Sequence, residues 1–128
     1  MELEYIPDVG YYTPLIIMSP IIPTKADQLH KAIQDVILGS EETLDIHTLP
    51  FITPVDGCRL SAQIAEQDDG AVLIEKTKNH FTWKLTHKSW EFSLALLDHF
   101  TSPDISGYQY LDDTLAIHVI ISTYYRQW

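Results

Sequence analysis

Leu115, Ile117, Val119 and Ile121 recur at every second position, the spacing that places side chains on one face of a β-strand. Ala116 and Ile120 add apolar groups to the opposite face, and β-branched residues dominate the stretch. Thr114–Thr123 therefore reads as the central strand of the sheet, covered on both sides. Leu15-Ile16-Ile17-Met18 is a shorter strand between Pro14 and Pro20. Proline donates no ladder hydrogen bond, so an edge position or a strand end is implied.

The period changes over Thr24–Gly39, where Ala26, Leu29, Ile33, Val36 and Ile37 form a helical stripe. Thr24 is the expected N-cap, Asp27 stands in the acidic place of a capping box, and Gly39 is the expected C′ stop. A second helix is predicted over 87–100, with Trp90, Leu94 and Leu97 in line and Phe92, Ala95, Leu96 and Phe100 widening a buried face. Thr86 or Ser89 caps it.

Between the helices, Leu44–His47 alternates, and Asp56-Gly57 marks a turn. Cys58–Glu66, Ala71–Lys78 and Phe81–Leu85 then alternate, joined by Gln67-Asp68-Asp69-Gly70 and by Asn79-His80, which predicts an antiparallel meander. Tyr108–Leu111 is expected to pair with the last strand through a turn at Asp112-Asp113. The order β-α-β-β-β-β-α-β-β predicts an α+β fold in one domain over residues 1–128. Its expected architecture is a single mainly antiparallel sheet with two helices packed on one face.

Charge changes this picture more than composition does. Eighteen acidic side chains stand against eight basic ones, a net of -10, a field that repels nucleic acid and anionic membrane and attracts basic partners. Lys76–Lys88 is the exception, with four lysines and two histidines interleaved with Phe81 and Trp83, but the overall charge argues against nucleic acid. Acids instead of a positive segment follow Met1, and the apolar stretch Pro14–Pro23 is too short to span a bilayer, so a cytoplasmic protein without membrane contact is expected. Cys58 has no cysteine to pair with in the chain.

No motif for catalysis, nucleotide or metal can be drawn. The histidines at 30, 47, 80, 87, 99 and 118 fall into no metal-ligand spacing, and Gly-x-Ser-x-Gly is absent. Cys58 has no motif around it and reads as a small packed hydrophobe. No cofactor is implied, and an enzyme is the less favoured class. The acids do pair, as Glu41-Glu42, Asp68-Asp69 and Asp112-Asp113, and the last pair lies near Tyr108, Tyr110, Tyr124, Tyr125 and Trp128. Carboxylates around aromatic anchors suit a surface that grips a basic protein. The leading expectation is a small binding protein of inhibitor, toxin-immunity or chaperone type, using Asp112, Asp113 and those five aromatics. The alternative is a small-ligand protein or enzyme with a pocket between sheet and helices at His118, His99 and Asp112. A homo-oligomer joined through the C-terminal aromatics is the third reading.

Overall fold

The structure is a computed structural model that describes residues 1–7, 14–39, 43–113 and 117–124, with the side chains of Ile37 and Leu38 left aside. Its strands are β1 (Glu2–Ile6), β2 (Leu15–Ser19), β3 (Thr43–Asp45), β4 (Thr53–Pro54), β5 (Arg59–Ile64), β6 (Gly70–Leu73), β7 (His80–Leu85), β8 (Tyr108–Asp112) and β9 (His118–Ser122). The helices are α1 (Pro23–Leu38) and α2 (His87–Asp98). Short 3-10 turns follow β3 at Ile46–Thr48 and α2 at His99–Thr101.

The fold is α+β, but the strands form two mixed sheets where the alternation had pointed to one. Sheet A has five strands in the order β4-β1-β2-β9-β8, and sheet B four in the order β3-β5-β7-β6. In sheet B, β5 lies parallel to β7, with Leu60 opposite Phe81, while β6 pairs antiparallel on the far side of β7. The expected meander is thus replaced by a β6–β7 hairpin that turns at Glu75-Lys76 and is inserted beside β5. Alternation fixes which residues share a face and says nothing about which strand is the neighbour.

In sheet A the middle strand is β2, not β9. β2 pairs antiparallel with β1 and parallel with β9, with Ile16 opposite Val119. The prolines flanking β2 sit beyond its ends, so the strand-end option holds and the interior ladder keeps every donor. Its unbroken apolar run has a direct cause. Ile16 and Met18 enter the main core, while Leu15 and Ile17 are buried with Ile120 on the opposite face. β9 divides in the same way, Val119 and Ile121 against Ile120, so both faces are apolar as the alternation predicts. Thr114–Ala116, the start of the expected strand, lies outside the described residues.

The main core gathers Leu3, Ile16, Met18, Val119 and Ile121 from sheet A and Leu60, Ala62, Phe81, Trp83 and Leu85 from sheet B. The helices pack against each other and close it, α1 through Ala26, Leu29 and Ile33, α2 through Trp90, Leu94 and Leu97. Trp83 and Trp90 meet edge to face with centroids 4.6 Å apart, an arrangement worth about 0.5–1.5 kcal/mol beyond area burial.

Helix ends differ from expectation at α1. Its N-cap is Ile22, without a side-chain cap bond, and Pro23 occupies the first helical turn where its fixed φ suits the helix. Gly39 has φ -97°, so it ends the helix in extended backbone instead of the left-handed C′ conformation. The expected Thr86 cap on α2 is present: Thr86 Oγ1 accepts from Ser89 N–H at 3.3 Å. Among the described residues no helix is long and apolar enough to cross a membrane.

Candidate functional site

One groove of about 390 Å³ opens between α2 and β8, and three local features make it. The first is the capping of α2. Asp68, in the connection after β5, accepts from Thr86 N–H at 2.8 Å and from the Ser89 hydroxyl at 2.7 Å. Those two bonds, the backbone one first, hold its carboxyl below the ordinary value of 3.8. The loop expected to be a hairpin tip is therefore a brace on the helix N-terminus.

The second feature is the face of α2. Trp90, Ser93, Leu94 and Leu97 are buried, but Phe92, expected on that buried face, is 67% exposed and forms a lip of the groove. Ala95 is exposed as well, so the buried stripe is narrower than the run of apolar residues.

The third is a bulge in β8. The register against β9 shifts between Tyr110 and Asp112, so Leu111 and Asp112 both turn inward although they are consecutive. Leu111 enters the core, and its carbonyl accepts from the Ser93 hydroxyl at 2.7 Å. Asp112 is 5% exposed, and its Oδ2 accepts from Trp83 Nε1–H at 2.9 Å, which ties sheet A to sheet B. Leu85, Phe92 and Leu96 supply apolar wall, Asp112, Asp113, Ser89 and Gln109 the polar groups, and Tyr110 borders the groove from β8 with its ring on the outer face of the sheet. Among the described residues that line the groove none is cationic.

The binding set read from the sequence is partly gathered here. Asp112, Asp113 and Tyr110 line the groove. Tyr108 is 53% exposed and stands edge-on to Tyr110 at 5.9 Å on the outer face of sheet A. Tyr124 is 43% exposed beyond β9, while Tyr125 and Trp128 lie outside the described residues. The alternative set is not assembled. His118 shares the outer face with Ile120 and meets the Tyr110 ring edge-on at 5.4 Å, whereas Asp112 points inward opposite Val119. The sheet itself separates them. His99 is exposed in the turn after α2 and does not line the groove.

Phe81 and Trp83, the aromatics of the lysine-rich stretch, are fully buried and offer nucleic acid no stacking surface. Cys58 is fully buried, and burial, with Glu4 adding, pushes its thiol up to about 11, so it carries no thiolate at neutral pH. Among the described residues no three His, Cys, Asp or Glu side chains converge as a metal site.

A second constellation was not legible in the sequence. On the outer face of sheet B, the Ser61 hydroxyl donates to Asp45 Oδ1 at 2.7 Å, and Ser61 Oγ lies 3.1 Å from His80 Nε2. A hydroxyl has one proton. With that proton committed to the carboxylate, Nε2 is the donor and the imidazole does not act as base toward Ser61. Burial holds His80 below its ordinary 6.5, with Arg59 and His47 adding and Asp45 opposing. The three residues form a hydrogen-bonded relay that binds β3 and β7 across β5, not a nucleophile with its base. Their approach depends on the strand register, Asp45 opposite Ser61 and Ser61 opposite Thr82, for which no sequence signal exists.

Comparison with protein-family models, with curated proteins and with solved structures finds no match to this chain.

Proposed function

We propose that this protein is a binding module that engages a basic protein partner, with the α2–β8 groove and its acidic rim as the contact surface. The observation that carries the reading is the composition of that groove: carboxylates of Asp112 and Asp113 beside the exposed Phe92, with no cationic side chain among its described lining. Interfaces anchor on exposed aromatics, and complementary charge steers and orders the encounter. A net charge of -10 extends the same attraction over the molecule. Inhibitor, toxin-immunity and chaperone proteins work in this way, by covering a basic surface.

The test is titration with a short peptide bearing arginine and lysine, against a matched peptide bearing glutamate, followed by calorimetry at low and at high salt. The basic peptide is expected to bind and to weaken as ionic strength rises, because exposed charges are screened beyond about 8–10 Å. Equal behaviour of the two peptides, or binding indifferent to salt, would overturn the reading.

A further inference from the structure

We infer that the outer edge of β6 is a second contact, one that takes an extended segment of the partner as an added strand of sheet B. The cationic character of that segment rests on the proposed function, whereas the open edge does not.

The two sheets have four edges among the described residues, β4 and β8 in sheet A and β3 and β6 in sheet B. Three are closed to pairing. At β4 the N–H groups of Thr53 and Val55 donate inward to the Met1 and Leu3 carbonyls, at 2.9 Å each, so the outward position falls to Pro54, which has no N–H. β8 is bulged, and the carbonyls of Tyr110 and Leu111 accept from the Gln109 amide at 3.0 Å and the Ser93 hydroxyl at 2.7 Å. β3 is three residues long, and its Asp45 carbonyl accepts from the Thr48 hydroxyl at 2.7 Å. Short strands, prolines and bulges are the usual means of blocking an edge.

β6 has none of them. Its ladder to β7 is unbroken from Gly70 to Leu73. The next rung, Ile74 N–H to the His80 carbonyl at 2.8 Å, sets the phase: Gly70 and Val72 bond to β7, while Ala71 and Leu73 aim N–H and C=O outward. These outward groups have no hydrogen-bond partner among the described residues. The strand carries no charge and no proline, and Val72 and Leu73, on opposite faces, are 47% and 42% exposed. An incoming strand completes the ladder with its backbone and covers both side chains with alternate residues of its own.

A second copy of this chain is the wrong occupant. Antiparallel pairing of two β6 edges, Ala71 of one copy with Leu73 of the other, sets Asp69 opposite Glu75 at both ends, and each copy carries a net of -10. A segment with β-branched residues at its centre and lysine or arginine at its ends suits the apolar strand and the acidic field together. β6 also starts beside the groove, since Asp68, two residues earlier, is bonded to the start of α2.

The test uses a peptide of alternating valine and threonine between lysine pairs, unmodified or N-methylated at alternate residues in either of the two phases. The readout is amide hydrogen exchange of the full chain by NMR. The unmodified peptide should bind and slow exchange at Ala71 and Leu73 about tenfold. One methylated form should do the same and the other lose binding, because only one phase turns its N–H groups to β6. Leu73→Pro, which removes an outward N–H at an edge position, should abolish binding as well. Absence of binding by the unmodified form, equal binding of the two methylated forms, or binding without protection of Ala71 and Leu73 would overturn the docking edge, while the salt-sensitive titration at the groove stands or falls separately. Protection that grows with protein concentration and no peptide would make a second copy the occupant and overturn the proposal. A peptide with glutamate in place of lysine that protects Ala71 and Leu73 equally well would overturn the cationic segment.

Discussion

Asp68-Asp69 and Asp112-Asp113 are the same dipeptide, and in the sequence both look like exposed acidic turns. In the fold each divides its labour, the first aspartate bonding inward and the second left to solvent. The environments differ, however. Asp68 braces a helix start from the surface, where water competes for its bonds, while Asp112 is buried against an indole N–H that has no water to fall back on. The value of a hydrogen bond is set less by its length, 2.8 Å and 2.9 Å here, than by what its donor does when the acceptor is removed.

The largest effect should therefore come from Asp112→Ala. An orphaned buried indole N–H costs about 1–3 kcal/mol, which for a domain of this size lowers the thermal midpoint by roughly 5–15 °C. Asp112→Asn keeps an amide oxygen for the indole and should recover most of that loss. If alanine and asparagine melted alike, the bond to Trp83 would contribute nothing.

Asp68→Ala should cost less, about 0.5–1 kcal/mol for a solvent-exposed cap, and its cost should depend on pH. The carboxyl is held below 3.8 in the fold, so the stability it contributes is present above pH 3.8 and is lost as pH falls through the lower native value. Denaturant midpoints of wild type and Asp68→Ala should differ at neutral pH and converge in strong acid. A gap that persists there would assign the loss to packing.

A smaller, differently placed pH effect belongs to His80. The fold favours its neutral form, so the contribution is complete above pH 6.5 and declines as pH falls below that value, where the unfolded chain takes up the proton more readily. His80→Gln should flatten the fall in thermal midpoint between about pH 7 and pH 5. An unchanged slope would remove His80 from the account.

Smallest of all should be Asp69→Asn and Asp113→Asn. Both carboxylates are exposed, so their melting curves should match wild type, and a peptide titration should separate them, with Asp113 alone weakening the basic peptide. Asp68→Asn, by contrast, is no neutral control, because it touches the helix brace.

What could be read in advance follows the range of each signal. The helices, the Thr86 cap and the two-faced burial of β9 are local patterns, and they appear where the alternation and the helical spacing place them. Sheet membership is not local: β5 and β7 differ from a meander pair only in which neighbour they choose. Tyr110, Asp112 and Asp113 could be named as a cluster because they are adjacent in the chain. Phe92 belongs to the same apolar run as Trp90, Leu94 and Leu97, and nothing in its spacing reveals that it is 67% exposed. The bond from Trp83 to Asp112 and the relay of Asp45, Ser61 and His80 arise from register and a bulge, which the sequence does not encode in any short window.

The pairing of β2 with β9 has a consequence for the order in which the protein is made. Leu15 lies opposite His118, about a hundred residues later, while every strand of sheet B comes from the contiguous stretch between Thr43 and Leu85. At translation rates of about 5–20 residues per second, β2 waits roughly 5–20 s for its parallel neighbour, long after sheet B has all its strands. Through that interval Leu15-Ile16-Ile17-Met18 has β1 on one side and an open edge on the other, and an apolar run with an open edge is the kind of segment that pairs with other nascent chains. Pro14 and Pro20 stand at its two ends. The prolines that limit the strand in the finished sheet also keep the waiting segment too short to serve as a template for aggregation.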